Sequence, residues 1–197
     1  MQTIRITPAV IINLVWFILA GLPHVSAQNG FRLSNSQEFK VSGTSTLHDW
    51  DMTSDGAAGQ AVIHLENNVI KSIESLRVDL PVKSLKSGNS RMDRTAYSAI
   101  DADRHTHVRF VLTGVRNISS NQVLAAGNLT IAGTTRPVTL RAGYSINGNT
   151  IQFAGVHSIK FSQFEVDPPT ALLGTVRTGD DLQLSFDVQF SAEGRAK

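Results

Sequence analysis

The feature that most constrains this chain is a regular alternation of apolar and polar residues with a period of two. It is clearest near the C-terminal end, where five apolar residues alternate with five polar ones from Leu182 to Ser191. Successive side chains of a β-strand point to opposite faces, so this segment turns one face to a core or cavity and the other to water. Similar alternation recurs from Phe31 onward and predicts an all-β protein with antiparallel strands.

Short turn sequences separate the predicted strands. They are Asp55-Gly56, Glu66-Asn67-Asn68, Ser119-Ser120-Asn121, Ala132-Gly133-Thr134, Asn147-Gly148-Asn149 and Gly179-Asp180-Asp181. The Asn147-Gly148 pair predicts a tight hairpin, because both central positions of a type I′ turn need a positive φ. About eight strands at this spacing predict an antiparallel meander or an eight-stranded barrel rather than alternating strands and helices.

The long connection from Ser84 to Thr106 is an exception, because it carries a helical pattern. The residues that would share one face of a short helix are Met92, Ala96, Tyr97 and Ile100. Asn89 or Ser90 could cap the first turn of this helix. We expect the helix to lie over the mouth of the barrel.

A second irregular stretch begins with Asp167-Pro168-Pro169 and runs to Gly174. Proline has no N–H to donate to a ladder, so this stretch is not predicted to be a central strand. Loops of this kind often cover a binding site.

The first 27 residues have the composition of an export signal. Arg5 precedes an apolar run from Ala9 to Leu22, and Val25-Ser26-Ala27 offers the small residues that a signal peptidase recognises. The run is shorter than the roughly 20 residues that a bilayer-spanning helix needs. We therefore expect a cleaved signal peptide, 1–27, and one mature domain, 28–197, in the periplasm of a Gram-negative bacterium or outside the cell. A permanent membrane anchor is the alternative.

Composition argues against several function classes. The chain has no cysteine, so it forms no disulfides and has no thiol chemistry or zinc–thiolate site. The net charge is +2, and the basic residues are scattered rather than gathered on a face with aromatic residues. Nucleic acid is therefore not an expected partner. No later segment is apolar over enough residues to predict a transmembrane helix after signal cleavage.

The barrel by itself leaves the nature of its interior open. Eight strands enclose a space that is either filled by side chains or able to hold one small ligand. Alternation predicts an apolar lining in both cases. Small residues at Gly43, Ala126 and Gly155 would leave room for a ligand.

Three longer segments carry a further signal. They are Gly43–Trp50, Ser90–Phe110 and Gly127–Leu140, the last reading GNLTIAGTTRPVTL. In this order and spacing they resemble the YceI-like family, periplasmic polyisoprenoid-binding proteins with a lipocalin-like fold. The resemblance covers about Phe31 to Phe190. One departure is His105-Thr106-His107, where the family often has an aromatic residue and a proline.

The resemblance implies an extended, eight-stranded, lipocalin-like barrel that holds an isoprenoid or a similar long-chain amphiphile. It implies neither a cofactor nor catalytic residues. We expect the ligand to contact inward-facing strand residues and the apolar face of the helix. These residues are Leu76, Leu80, Met92, Tyr97, Ile100, Phe110, Leu112, Phe153, Leu184 and Phe186. The alternative is a solidly packed envelope protein that binds a partner through its outer face, and a homodimer remains open in either case.

A metal site is a weaker hypothesis. His105 and His107 are two residues apart, so on a strand they would share a face and could bind a metal. A third ligand would have to come from His48, Asp101 or Asp103. Two polar residues at the start of a strand are the favoured interpretation, so no metal site is predicted.

Catalysis is also disfavoured. His48-Asp49 could act as a general base for Ser42 or Ser45. However, the chain has no Gly-x-Ser-x-Gly nucleophile elbow. We expect instead that His48, Asp49 and Trp50 fix the end of the first strand, with the Trp50 N–H turned to a polar partner. The prediction is a binding protein and not an enzyme.

Overall fold

The computed structural model describes residues 30–193, in which ten antiparallel strands accompany one short α-helix. The helix, α1, spans Ser90–Ala99. The strands are β1 (Gly30–Ser45), β2 (Trp50–Ser54), β3 (Ala58–Glu66), β4 (Val69–Pro81), β5 (His107–Ile118), β6 (Gln122–Ile131), β7 (Thr134–Asn147), β8 (Thr150–Lys160), β9 (Thr170–Ala171) and β10 (Val176–Ala192). The predicted signal peptide, 1–27, lies outside the described residues.

The sheet closes on itself because β1 pairs antiparallel with β10. Both β2 and β3 pair with β1, β2 opposite Phe39–Gly43 and β3 opposite Gly30–Arg32, so together they form one position in the wall. β9 is a two-residue strand on the edge of β10. The wall therefore has eight positions, which confirms the predicted eight-stranded antiparallel barrel.

Five predicted turns connect consecutive strands as expected. Asn67 and Asn68, between β3 and β4, both have positive φ, at 51° and 59°. The hairpin between β7 and β8 differs from the predicted type I′ turn. Asn147 pairs with Thr150, so the two loop residues are Gly148 and Asn149, and of these only Gly148 has a positive φ, 57°. Glycine at the first central position is typical of a type II′ turn.

The turn predicted at Gly179-Asp180-Asp181 is wrong, because this segment lies inside β10. Its pairing with β1 shifts register nearby, which marks a local irregularity of the β-bulge kind. The Asp180 carboxylate accepts hydrogen bonds from the amide of Ser162 at 2.8 Å and from its hydroxyl at 2.7 Å. Asp180, which suggested a turn in the sequence, therefore binds the connection that follows β8 to the last strand.

The predicted helix in the Ser84–Thr106 connection is confirmed as α1. Its N-cap is Asn89, whose side-chain oxygen accepts hydrogen bonds from the amides of Arg91 at 3.0 Å and Met92 at 3.2 Å. These bonds satisfy N–H groups that have no partner within the helix. Within residues 30–193 no helix has the length and apolar character needed to cross a bilayer.

Two sets of hydrogen bonds hold α1 and its loop on the barrel. Thr53 of β2 and Lys86 exchange backbone bonds of 2.9 and 2.8 Å. The buried Asp93 carboxylate accepts from the amide of Ser87 at 2.9 Å and from its hydroxyl at 2.6 Å. Burial by itself raises the pKa of Asp93, but the bonds from Ser87 and the charges of Lys86 and Arg94 bring that pKa below its ordinary value.

Apolar side chains fill the end of the barrel that carries the turns near residues 67, 120 and 148, which we call the closed end. The buried residues of this cluster are Phe31, Leu33, Ala61, Ile63, Ile70, Ile73, Val123, Ala142, Tyr144, Ile151, Phe153, Val188 and Phe190. The opposite end carries α1 and the loops 46–49 and 167–174, and we call it the mouth. A second, smaller buried cluster lies toward the mouth and consists of Leu129, Ile159, Phe164, Val166 and Leu182.

Candidate functional site

The barrel encloses an apolar cavity of about 540 Å³ between the closed end and α1. Phe153, Val188 and Phe190 of the closed end line it from below. At the mouth it is lined by α1 and by short segments that include Leu47 and Ala171. The volume lies within the range of about 300–1,000 Å³ that is typical of small-molecule sites. The cavity is thus bounded below by the packed closed end, and toward the mouth its lining includes Leu129, Ile159 and Leu182 of the second cluster.

Nine of the ten residues predicted from the sequence to contact a ligand line this cavity. They are Leu76, Leu80, Met92, Ile100, Phe110, Leu112, Phe153, Leu184 and Phe186. Seven lie on the inner face of β4, β5, β8 and β10, and Met92 and Ile100 lie on or directly after α1. The fold therefore brings together residues as far apart in the chain as Leu76 and Phe186.

Tyr97 does not line the cavity, unlike its predicted neighbours on the helix. Its hydroxyl bonds to the backbone carbonyls of Lys83 and Leu85. The Lys86 ammonium donates to the same hydroxyl at 2.9 Å and lies 5.2 Å from the ring centroid. Tyr97 thus joins α1 to the preceding loop, because two carbonyls there lie within reach of its hydroxyl.

Three glycines of the wall lie beneath aromatic rings. The pairs are Gly43 with Trp50, Gly127 with Phe110, and Gly155 with Phe186. A Cβ atom at these glycines would lie 2.5, 2.3 and 2.6 Å, respectively, from the nearest ring atom of its partner, which is closer than side-chain atoms approach one another. The glycines therefore let large rings lie close to the wall, and the room predicted at Gly43 and Gly155 is taken by Trp50 and Phe186.

The small residues that do line the cavity include Ala125 of β6 and Ala142 of β7. The sequence pointed instead to Ala126, which does not line it. The inner face of β6 is formed by odd-numbered residues, including Val123, Ala125 and Leu129. The even-numbered Leu124 is also apolar, so β6 has apolar residues on both faces. The alternation therefore did not show which face of this strand points inward.

The residues considered above as a possible catalytic group, Ser45 and His48, lie with Trp50 at the end of β1. The indole N–H of Trp50 donates to the carbonyl of Thr44 at 3.1 Å, which confirms the predicted polar partner. The Ser45 hydroxyl donates to the backbone carbonyl of His48 at 2.7 Å, and the His48 Nδ1 lies 2.6 Å from the carbonyl of Asp49. Ser45 and the His48 ring therefore bond to the backbone and not to each other.

The two histidines considered as metal ligands contact different neighbours. His107 is the first residue of β5, and its Nδ1 lies 2.9 Å from the Thr106 hydroxyl. His105 precedes the strand, and its ring lies against Gly133, where a Cβ would be 2.6 Å away. In the part of the chain that the structure describes, no group of three or more His, Cys, Asp or Glu residues is arranged to hold a metal ion.

His157 of β8 also lines the cavity and was not singled out from the sequence. It alternates with Phe153, Gly155 and Ile159, so the period-two pattern that found its neighbours also places its ring on the inner face. Burial lowers the pKa of this imidazole below its ordinary value. The ring is therefore neutral at neutral pH.

Residues 25–190 match the YceI-like domain family. The match spans most of the sequence and all but the last few described residues. The chain belongs to the YceI-like family. This confirms the resemblance carried by the segments at 43–50, 90–110 and 127–140.

Individual relatives of this YceI-like protein are distant in sequence. A UPF0312 protein of Pseudomonas putida is 27% identical over 120 residues, which cover 57% of this chain and 60% of the relative. The crystal structure of Burkholderia cenocepacia BcnA has a TM-score of 0.67 at 20% identity and covers 80% of this chain and 98% of BcnA. A polyisoprenoid-binding domain from Saccharophagus degradans, implicated in plant cell wall breakdown, has a TM-score of 0.63 at 8% identity and covers 83% and 98%. At these identities the two structures show a shared fold.

Proposed function

We propose that this protein binds an isoprenoid or another long-chain amphiphile inside the barrel and carries out no reaction on it. The observation that carries the proposal is the apolar cavity of about 540 Å³ behind α1. Burial of apolar surface contributes about 25 cal/mol per Å². A hydrocarbon chain is therefore the kind of ligand that this lining stabilises. The polyisoprenoid-binding domain of Saccharophagus degradans supports the same ligand class, since it shares the fold.

The proposed contacts are the nine predicted residues that line the cavity, with Leu80 and Ile100 nearer the mouth and Phe153 on the floor. Tyr97 is proposed to act indirectly, by joining α1 to its loop. No cofactor or metal is part of the proposal.

We also propose that the protein acts in the periplasm, or outside the cell, after removal of residues 1–27. The charged start, apolar run and small residues of that segment support this location. A carrier, a store and a sensor of envelope stress all require a lipid site, and the cavity is the proposed site for any of these roles. A single mature domain, 28–197, would contain it.

The competing function is a filled barrel that binds a partner through its outer face. It would need a contiguous exposed apolar patch on the strands. Across residues 30–193 the large apolar side chains exposed on strands are Val111 and Val156, which lie on β5 and β8. These strands are not neighbours in the sheet, so the described surface favours the cavity as the site.

The test is native mass spectrometry of protein purified without detergent, followed by lipid extraction and mass spectrometry of the extract. We expect one lipid-sized adduct for each barrel and an extract that contains a long-chain amphiphile. The same spectrum reports whether the protein is a monomer or a homodimer. A bare protein mass that remains bare after incubation with vesicles of bacterial phospholipid and polyprenol would contradict the proposal.

Ala125→Phe provides a variant with a blocked site. Ala125 lines the cavity, so a phenyl ring there occupies space that the ligand needs. Val156→Phe is the matched control, because it adds the same ring to the outer face at a side chain that is 54% exposed. We expect the adduct to disappear from Ala125→Phe and to persist in Val156→Phe. Circular dichroism spectra should show that both variants fold.

A further inference from the structure

The imidazole of His157 lies in a largely apolar part of the cavity wall. Ser185 and Lys40 also line the cavity there, and the Lys40 ammonium lies 3.2 Å from the Asp51 carboxylate. Leu184 of β10 lies opposite it across the ladder between β8 and β10. Ile159 lies two residues toward the mouth, and Gly155, beneath the Phe186 ring, lies two residues toward the closed end. His157 therefore occupies a middle level of the cavity, between the floor and the mouth.

No protein group within residues 30–193 forms a hydrogen bond or an ion pair with the His157 ring. The pairing between β7 and β8 ends at Ala142 and Gly155, so no residue of β7 is paired with His157. Several polar residues that line the mouth are already engaged. The hydroxyls of Ser45 and Thr95 donate to backbone carbonyls, and Asn89 caps α1.

The His157 side chain is only partly buried, so the cost of leaving its nitrogens unpaired arises when a ligand covers it. A ligand that covers the ring must offer its nitrogens a hydrogen bond, because a covered polar group without a partner is costly. Because burial lowers the pKa of His157, its ring is neutral at neutral pH and offers one N–H donor and one nitrogen acceptor. A neutral ring in an apolar wall favours an uncharged partner. A charged partner at the same place would lose its hydration without gaining a counter-ion.

We propose that His157 is the hydrogen-bonding anchor for an uncharged oxygen of the bound amphiphile, a hydroxyl or a carbonyl. The inference rests on the proposed function and deepens it, because it defines the polar part of the ligand as well as the apolar part. The oxygen lies at the middle level of the cavity, and the hydrocarbon occupies the apolar space around it. The site thus selects neutral amphiphiles such as alcohols, ketones and esters over plain hydrocarbons.

The test compares hexadecan-1-ol with hexadecane, two probes that share a chain and differ in one hydroxyl. Both are offered together to delipidated protein, and native mass spectrometry gives the ratio of the two complexes. A neutral hydrogen bond contributes about 0.5–1.5 kcal/mol, which corresponds to a change of about two- to tenfold. We therefore expect His157→Leu to lower the alcohol-to-alkane ratio by that factor while hexadecane still binds.

His157→Gln keeps a donor and an acceptor, so it should retain more of the preference than His157→Leu. His64→Leu is the matched control, because His64 does not line the cavity and its Nε2 lies 2.8 Å from the Glu74 carboxylate. It should leave the ratio unchanged. In the wild-type protein, the imidazole ¹⁵N resonances of His157 should shift on addition of hexadecan-1-ol and not of hexadecane, which tests the contact without a variant.

The outcomes separate the two proposals. Suppose that both probes bind, that His157→Leu leaves the alcohol-to-alkane ratio unchanged, and that the wild-type His157 resonances do not move. The proposed anchor is then wrong, and the proposed lipid site stands. If neither probe binds the wild-type protein, the proposed function fails together with the anchor.

Discussion

Phe153 tests whether the cavity has a packed floor. Its side chain is 5% exposed, and its ring centroid lies 6.1 Å from that of Phe190, in an edge-to-face arrangement, and 6.3 Å from that of Tyr144. Replacing such a ring by alanine removes its apolar burial and leaves a cavity, which costs about 3–5 kcal/mol. We therefore expect Phe153→Ala to lower the free energy of unfolding of ligand-free protein by that amount.

Urea unfolding followed by circular dichroism measures the loss. For m values of about 2–3 kcal/mol per M, the expected fall in the midpoint is about 1–2.5 M. Val156→Ala is the control, because Val156 lies on the same strand with its side chain 54% exposed, and surface changes usually stay within about 0.5 kcal/mol. A loss below about 1 kcal/mol for Phe153→Ala would refute the reasoning, because it would mean that the ring is not packed and that the cavity has no floor.

Two further predictions concern the wall and the helix. Gly127→Ala should destabilise the protein by about 1–3 kcal/mol in thermal unfolding, because its Cβ would lie 2.3 Å from the Phe110 ring. Gly114→Ala, with nothing within 4 Å of its Cβ, should be nearly neutral, and equal shifts for both variants would contradict the prediction. Asp93→Asn should be less stable than wild type at neutral pH, because it weakens the bonds from Ser87. The lowered pKa of Asp93 means that its carboxylate stabilises the fold above about pH 3.8, and that this advantage is lost as the pH falls below that value. Melting temperatures of both proteins from pH 7 to pH 3 check this, and a constant difference throughout would refute it.

Local patterns predicted the strands and most of the connections because those depend on nearby residues. The alternation from Leu182 to Phe190 placed one face of β10 inward, and the spacing of Met92 and Ile100 placed both beside the cavity. The same rule would have found His157, had a polar residue been considered for an inner face. These successes share one cause, namely that side-chain direction in a strand or helix follows from position alone.

Two features that local patterns did not predict depend on residues outside those patterns. Tyr97 shares a helix face with lining residues, but the carbonyls of Lys83 and Leu85 hold its hydroxyl away from the cavity. Asp180 belongs to a turn-like triplet, but Ser162 binds its carboxylate and the strand continues. These partners lie 12, 14 and 18 positions apart in the sequence, beyond the few residues over which a strand or helix pattern is read.

The joining of β1 to β10 has a consequence for when the site exists. Residues near the two ends of the described chain are neighbours, as in the bond of 2.8 Å from the Glu193 amide to the Gly30 carbonyl. Contacts so distant in sequence form slowly, and all-β proteins dominated by them fold in about milliseconds to seconds. Because β10 supplies part of the lining, including Leu184 and Phe186, the lumen lacks a wall until the final strand arrives. Under the proposed function, ligand capture therefore follows completion of folding, and a chain that stalls before β10 has no closed interior.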